Sequence, residues 1–98
     1  MEGRNDPRSI EWAKEIKRRD NYICQLCKKY GVPLHSHHLY SFDKFVNKRY
    51  DVNNGICLCT RCHNNFHDIF GRGNNTPFQF DQFKKTFNMF RAAIEKLG

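Results

Sequence analysis

An apolar stripe at helical spacing opens the chain. It follows Asp6-Pro7, a typical helix start, because the carboxylate caps free N–H groups and proline suits the first turn. The pattern predicts a helix over residues 7–19. The apolar positions of this stripe are Ile10, Trp12, Ala13 and Ile16.

A second and longer apolar stripe lies near the end of the sequence. It begins after Thr76-Pro77, another capping pair, and predicts a helix over residues 77–97. We expect this face to pack against the core, and a dimer seam is the alternative. Its members are Phe80, Phe83, Phe87, Phe90, Ile94 and Leu97.

Between these helices the pattern changes to short apolar runs. Residues 32–39 and 54–58 are strand candidates separated by a polar, aromatic and basic loop. A further helix is expected over 61–70, with a glycine at its end. We therefore predict a small single α+β domain over residues 1–98, with a core over about 20–72 between N- and C-terminal helices.

The charge of the chain suggests a polyanionic partner. Seventeen Lys and Arg residues against ten Asp and Glu give a net charge of +7 in 98 residues, which favours nucleic acid as a partner. A solvated basic surface is the alternative. The sequence has no apolar run long enough for a membrane span and no signal-peptide pattern, so we expect a soluble protein in a reducing, intracellular compartment.

Four of the five cysteines form two Cys-x-x-Cys pairs, Cys24 with Cys27 and Cys59 with Cys62. Two such turns supply four thiolates to one ion, which is typical of a structural tetrahedral zinc site. A redox Cys-x-x-Cys motif is the alternative, but redox chemistry does not need two copies. The fifth, Cys57, is expected to be a small buried hydrophobic residue.

The histidines suggest a second site. His63 and His67 are four residues apart on a predicted helix, so both rings lie on one face and can bind one metal ion. His37 and His38 are neighbours on a predicted strand and point to opposite faces. If one of them is a ligand, the other is held close to the ion and suits a general base. His35 is interpreted as a surface or core residue.

Three stretches, SHHLYSF, DVNNGICLC and CTRCHNNFH, resemble the HNH endonuclease family in its form with a four-cysteine zinc site. The resemblance covers about residues 8–75 and points to the small free-standing HNH proteins encoded by bacteriophages. The name-giving residues fall at His38, Asn54 and His63. His67 is similar to an additional ligand of the colicin-type members.

The resemblance implies a ββα-metal (His-Me finger) core with the four-cysteine zinc ion and one catalytic divalent cation. His37, His63 and His67 would hold the catalytic cation, and His38 would deprotonate the attacking water. Asn54 would hold the loop of His38 and orient its imidazole, although in some members the asparagine reaches the metal instead. DNA hydrolysis would leave 5′-phosphate and 3′-hydroxyl ends.

One departure from the family concerns the metal. Many members carry aspartate where this chain has His37, and three imidazoles bind Mn²⁺, Ni²⁺, Co²⁺ or Zn²⁺ more tightly than Mg²⁺. Mg²⁺ remains a candidate because it is abundant. Related phage proteins are encoded beside the DNA-packaging terminase, so the resemblance also implies a terminase subunit or another phage protein as partner, in the host cytoplasm.

Basic side chains around the histidines are candidates for phosphate contacts. Because the chain has no separate recognition module, we expect low sequence specificity. A non-catalytic, zinc-binding nucleic-acid-binding module is the competing interpretation, and it leaves the histidines and Asn54 unexplained. The candidate DNA contacts are Lys44, Lys48, Arg49, Arg61 and Arg72.

Overall fold

The computed structural model describes residues 5–97, with side chains from residue 5 through residue 90. It is a small α+β structure in which helices flank a two-stranded sheet, as the sequence predicts. None of the helices in this range is long and apolar enough to cross a membrane. The elements are α1 (Pro7–Arg19), β1 (Leu34–His38), β2 (Gly55–Cys59), α2 (Thr60–Phe70) and α3 (Pro77–Leu97).

The sheet is an antiparallel hairpin that separates two layers of helix. Its register pairs Leu34 with Cys59 at one end and His38 with Gly55 at the other. Because side chains alternate along a strand, one face of the hairpin contacts α1 and the other contacts α2 and α3. Neighbouring residues of β1 therefore belong to different layers.

Each layer has its own apolar cluster. Trp12 and Ile16 of α1 pack on Cys57 of β2, which confirms that the fifth cysteine is a buried hydrophobic residue. On the other face, Leu58 and Phe66 pack with the first turns of α3 and with the four paired cysteines. The pairs thus lie in the main core, where they join the turn that carries Cys24 and Cys27 to the start of α2.

The strand boundaries differ from the predicted ones. The first strand starts at Leu34, not at residue 32, because Pro33 has no N–H for a ladder and its carbonyl accepts a bond from the Thr60 N–H at 3.2 Å. Asn54 was expected in the second strand, but it ends a short helical turn, Val52–Asn54. Asp51 caps that turn by accepting the N–H of Asn53.

The apolar stripe of α3 is only partly buried. Phe80 and Phe83 lie in the core and Phe87 packs against its edge, which agrees with core packing. Phe90 is 69% exposed, so the prediction of core packing is wrong there: Phe90 lines an open groove beside the first turn of α2 and is not enclosed. The side chains of Ile94 and Leu97, predicted to continue the stripe, lie outside the described residues.

Candidate metal centres

The four paired cysteines converge in the core. Their sulfur atoms all lie within 4.8 Å of one another, and Cys27 Sγ is 3.7 Å from Cys59 Sγ. Two sulfurs bound to one tetrahedral zinc ion at about 2.3 Å would be separated by about 3.8 Å. The four cysteines therefore form a structural metal site, with spacing suited to a thiophilic ion.

The protonation of these thiols follows from their surroundings. Burial raises the pKa of Cys62 far above its usual range, and the neighbouring sulfurs add to the effect. At Cys24 burial also raises the pKa, but backbone N–H groups of Cys27, Cys59 and Leu26 outweigh it and lower the pKa to about 7. A bound cation would compensate the charge of four thiolates held this close together.

A second cluster consists of His37, His63 and His67. One ring nitrogen of each lies within 4.8 Å of the others. The Nε2 atoms of His63 and His67 are 3.1 Å apart, close to the roughly 3.3 Å expected for two imidazoles bound to one tetrahedral ion at about 2.0–2.1 Å. His63 and His67 lie on one face of α2 because they are four residues apart. His37 joins them because it lies on the face of β1 that packs against α2.

The surroundings of His67 and His37 leave a ring nitrogen of each available to a cation. His67 Nδ1 is 2.8 Å from the Gly71 carbonyl oxygen, and because a carbonyl only accepts, Nδ1 carries the proton and Nε2 keeps a lone pair. Nε2 of His37 is buried and has no hydrogen-bond partner among the residues described. Burial, with smaller repulsion from His63 and His67, lowers the pKa of His37 to about 3, so the ring is neutral.

His38 lies on the opposite face of β1 from His37. Its Nε2 is 2.9 Å from the carbonyl oxygen of Arg49, so Nε2 must donate and Nδ1 holds the lone pair. One face of the ring stacks on Trp12, with ring centroids 3.7 Å apart and planes 11° from parallel. Burial lowers the pKa of His38 below its usual range, and the positive charge of Arg49 acts in the same direction.

Asn54 is buried and holds the loop that follows β1. Its Oδ1 accepts the N–H of Tyr40 at 2.7 Å, and its Nδ2 donates to the carbonyls of Tyr40 and Lys48 at 3.0 Å each. The sequence predicted that Asn54 also orients the His38 imidazole. The hydrogen bond of that ring goes instead to Arg49, so Asn54 acts on the loop backbone.

The basic residues predicted to contact DNA differ in their surroundings. Lys48 lies over the ring of Tyr40 at 4.8 Å and Lys44 over Phe45 at 5.8 Å. Arg49 is folded onto its own loop, with its guanidinium 4.3 Å from the Phe42 ring centroid and Nε donating to the Phe42 carbonyl. These aromatic contacts hold the cations at the surface of the loop between the strands.

Arg61 and Arg72 are both exposed and lie at opposite ends of α2, Arg61 in its first turn and Arg72 just past its end. Arg61 is two residues before His63, about 200° around the helix axis, and it lines a groove beside Cys27 and Phe87. Arg72 directly follows Gly71, whose carbonyl accepts from His67. Of the two, Arg72 therefore lies near the histidine cluster.

The sequence did not identify two residues, His35 and Trp12, that lie beside the candidate site histidines. His35, interpreted as a surface or core residue, stacks on His63 with centroids 4.9 Å apart, and its Nε2 bonds the Thr60 hydroxyl at 2.9 Å. Its spacing of two from His37 on a strand was the available signal. Trp12 gave no comparable signal, because only the folded chain brings α1 beside His38.

The comparison with protein families agrees with this arrangement. The model of the HNH endonuclease family matches residues 24–68, which span both clusters from the first ligand cysteine to the residue after His67. No curated protein and no solved structure matches the chain significantly.

Proposed function

Residues 24–68 match the HNH endonuclease family, and on this premise we propose that the chain is a metal-dependent DNA endonuclease of that family. The reaction is hydrolysis of a phosphodiester bond to 5′-phosphate and 3′-hydroxyl ends. The observation that carries the proposal is the pairing of a convergent three-histidine cluster with His38, a neutral imidazole held on the adjacent residue with one lone pair free.

The two clusters take different ions and different tasks in this proposal. Four thiolates at 3.7 Å sulfur spacing suit Zn²⁺, and four protein ligands leave it no open position for chemistry. His37, His63 and His67 would hold the catalytic divalent cation, chosen among Mn²⁺, Ni²⁺, Co²⁺, Zn²⁺ and Mg²⁺, with three imidazoles favouring the first four in affinity. When bound, this cation supplies Lewis-acid stabilisation of charge on the phosphate and the leaving oxygen.

The protein groups divide the remaining work. His38 Nδ1 accepts the proton of the attacking water, while the Arg49 carbonyl keeps Nε2 protonated and fixes the tautomer. Asn54 keeps the loop carrying that carbonyl closed against β2 through its three backbone hydrogen bonds. In the same way, the Gly71 carbonyl keeps Nδ1 of His67 protonated and so leaves the lone pair on Nε2.

DNA would be held mainly through its phosphates. The exposed Lys44 and Arg72 and the half-buried Lys48 are the cations best suited to this contact. Phosphate contacts carry no sequence information, which supports low intrinsic specificity. The resemblance to phage-encoded relatives supports a terminase subunit as protein partner and a role in DNA packaging. Co-purification of a tagged chain with terminase subunits from the same phage tests that partner.

Cleavage of supercoiled plasmid by His38→Ala tests the proposed reaction. This variant keeps all seven proposed metal ligands, so its metal content and DNA affinity should match those of the wild type. Its cleavage rate should fall by about 10²- to 10⁴-fold, the usual contribution of a positioned general base. Ser36→Ala is the matched control, because Ser36 shares the strand face of His38 and its hydroxyl donates to the Ala13 carbonyl at 2.7 Å.

The outcomes separate the two readings of the chain. Cleavage by His38→Ala at the wild-type rate would remove His38 as the base. If the wild type binds DNA but cleaves with none of the five cations, the non-catalytic binding module becomes the better description.

A further inference from the structure

The proposed base, His38, packs against α1, a helix that lies outside the segment matched by the family model. Trp12 of α1 stacks almost parallel on His38, 3.7 Å from centroid to centroid. The edge of Phe42 approaches the same imidazole at 5.5 Å. Together with the hydrogen bond from Nε2 to the Arg49 carbonyl, these contacts limit both the tilt and the in-plane rotation of the ring.

Trp12 is itself held rigidly. It is 4% exposed, and its Nε1–H donates to the Asp51 carbonyl at 2.8 Å. A Cβ at Gly55, the residue paired with His38, would lie 2.6 Å from the Trp12 ring. The indole is therefore fixed between its hydrogen bond and the strand that carries the partner of His38.

The end of α1 is tied to the same strand. The Arg19 guanidinium donates to the carbonyls of Val52 and Gly55 at 2.7 Å each. The Asp20 carboxylate accepts the N–H of Cys57 at 2.9 Å. These three hydrogen bonds attach the end of α1 to the hairpin that carries His38.

We propose that Trp12 is a positioning residue for the hydrolysis, because its indole face fixes the His38 imidazole in the orientation that presents Nδ1 to the attacking water. The inference rests on the proposed nuclease function. It assigns α1 a part in catalysis, and it distinguishes Trp12 from Ile16, which packs in the same cluster.

The test compares Trp12→Leu and Trp12→Phe by their kcat and KM for plasmid cleavage. Trp12→Leu fills much of the site without a stacking face, and kcat should fall roughly 10- to 100-fold, the loss that a small misplacement of a reacting group produces, while KM stays near the wild-type value. Trp12→Phe restores a ring and should recover part of kcat. Ile16→Val is the structural control: it should lower Tm but leave kcat unchanged well below Tm.

A double-mutant cycle distinguishes positioning from general damage. In the His38→Ala background, Trp12→Leu should have no further effect on the residual rate, because no imidazole remains to be positioned. A further loss of the same size in that background would overturn the inference, as would wild-type kcat in a folded Trp12→Leu. If Trp12→Leu does not fold by circular dichroism, Trp12→Met takes its place in the cycle.

The stack can also be observed without catalysis, since Trp12 is the only tryptophan of the chain. Its fluorescence should change in His38→Ala and stay the same in Ser36→Ala. Equal emission from wild type and His38→Ala would show that the rings do not stack in solution, and the inference would fail. Failure of the nuclease proposal looks different: there the wild type itself does not cleave, whatever the fluorescence.

Discussion

Two neighbouring histidines experience different surroundings in this protein. His37 is enclosed by Phe66 and the other two cluster histidines, whereas His38 lies between Trp12 and the loop after β1. Burial lowers the pKa of both rings, so both are neutral at pH 7. One neutral ring can then serve as a metal ligand while the other accepts a proton.

These pKa shifts predict the pH dependence of cleavage. A general base must be unprotonated, and burial places the pKa of His38 below its ordinary value of 6.5. From its plateau at about pH 8, the rate should therefore fall to half only below pH 6.5, and it should follow the protonated fraction of His38 on further acidification. Initial rates across this range check it, with bound metal measured at each pH so that loss of the cation is not mistaken for protonation. A rate that increases on acidification would contradict it.

At the scale of elements, the contact between α1 and β2 depends on one missing side chain. A Cβ at Gly55 would lie 2.5 Å from Cδ1 and 2.6 Å from Cγ1 of Ile16, and 2.6 Å from the Trp12 ring. All of these atoms are buried, so the neighbours have little room to move. Glycine is needed here for close approach of a helix to a strand.

Gly55→Ala should accordingly destabilise the fold by about 1–3 kcal/mol, the usual effect of overpacking. Urea unfolding followed by circular dichroism measures the change. Ile16→Ala removes two of the three clashing atoms, so the double variant should be more stable than the sum of the single effects predicts. Simple additivity would show that the clash with Ile16 is not the cause.

The elements also show what the sequence could predict. Helix ends were predictable because Asp6-Pro7 and Thr76-Pro77 are local signals, and the metal clusters because ligand spacing is local too. The contacts of Asn54 were not, since its side-chain amide bonds a loop fourteen residues away in sequence. Burial along α3 depends on which parts of the fold lie beside each of its turns, which no periodicity in α3 encodes.

For the whole molecule, two metal sites of unlike chemistry predict two classes of bound ion. The thiolate ion lies in the core and should exchange slowly, whereas the histidine-bound ion should be removed by brief chelation. Elemental analysis after such treatment should find about one zinc per chain, with cleavage abolished and then restored by added divalent cation. A single ion class, with activity lost and regained together with the zinc, would contradict this prediction.

The net charge of +7 predicts DNA binding that weakens steeply with salt. The positions of Arg61 and Arg72 predict which of the two contributes more to that binding. Arg72→Ala should weaken binding to all sequences alike and reduce the salt slope by about one. Arg61→Ala is the matched control, because Arg61 lines the groove away from His63 and His67, and it should have the smaller effect. Binding measured at several salt concentrations checks this, and a larger effect of Arg61→Ala would place the DNA on the other side.

The position of the cysteine pairs has a topological consequence. Cys24 and Cys27 precede the hairpin, Cys59 is its last residue and Cys62 lies in α2, so a bound ion closes the intervening chain into a ring that contains β1, its loop and β2. A cut within the exposed part of that loop would open the ring without separating the halves, because the ion and the strand pairing would still join them. The exposed part of this loop is therefore where we expect new chain termini or an inserted segment to be tolerated. The bound ion and the strand pairing would still connect the two parts of the chain.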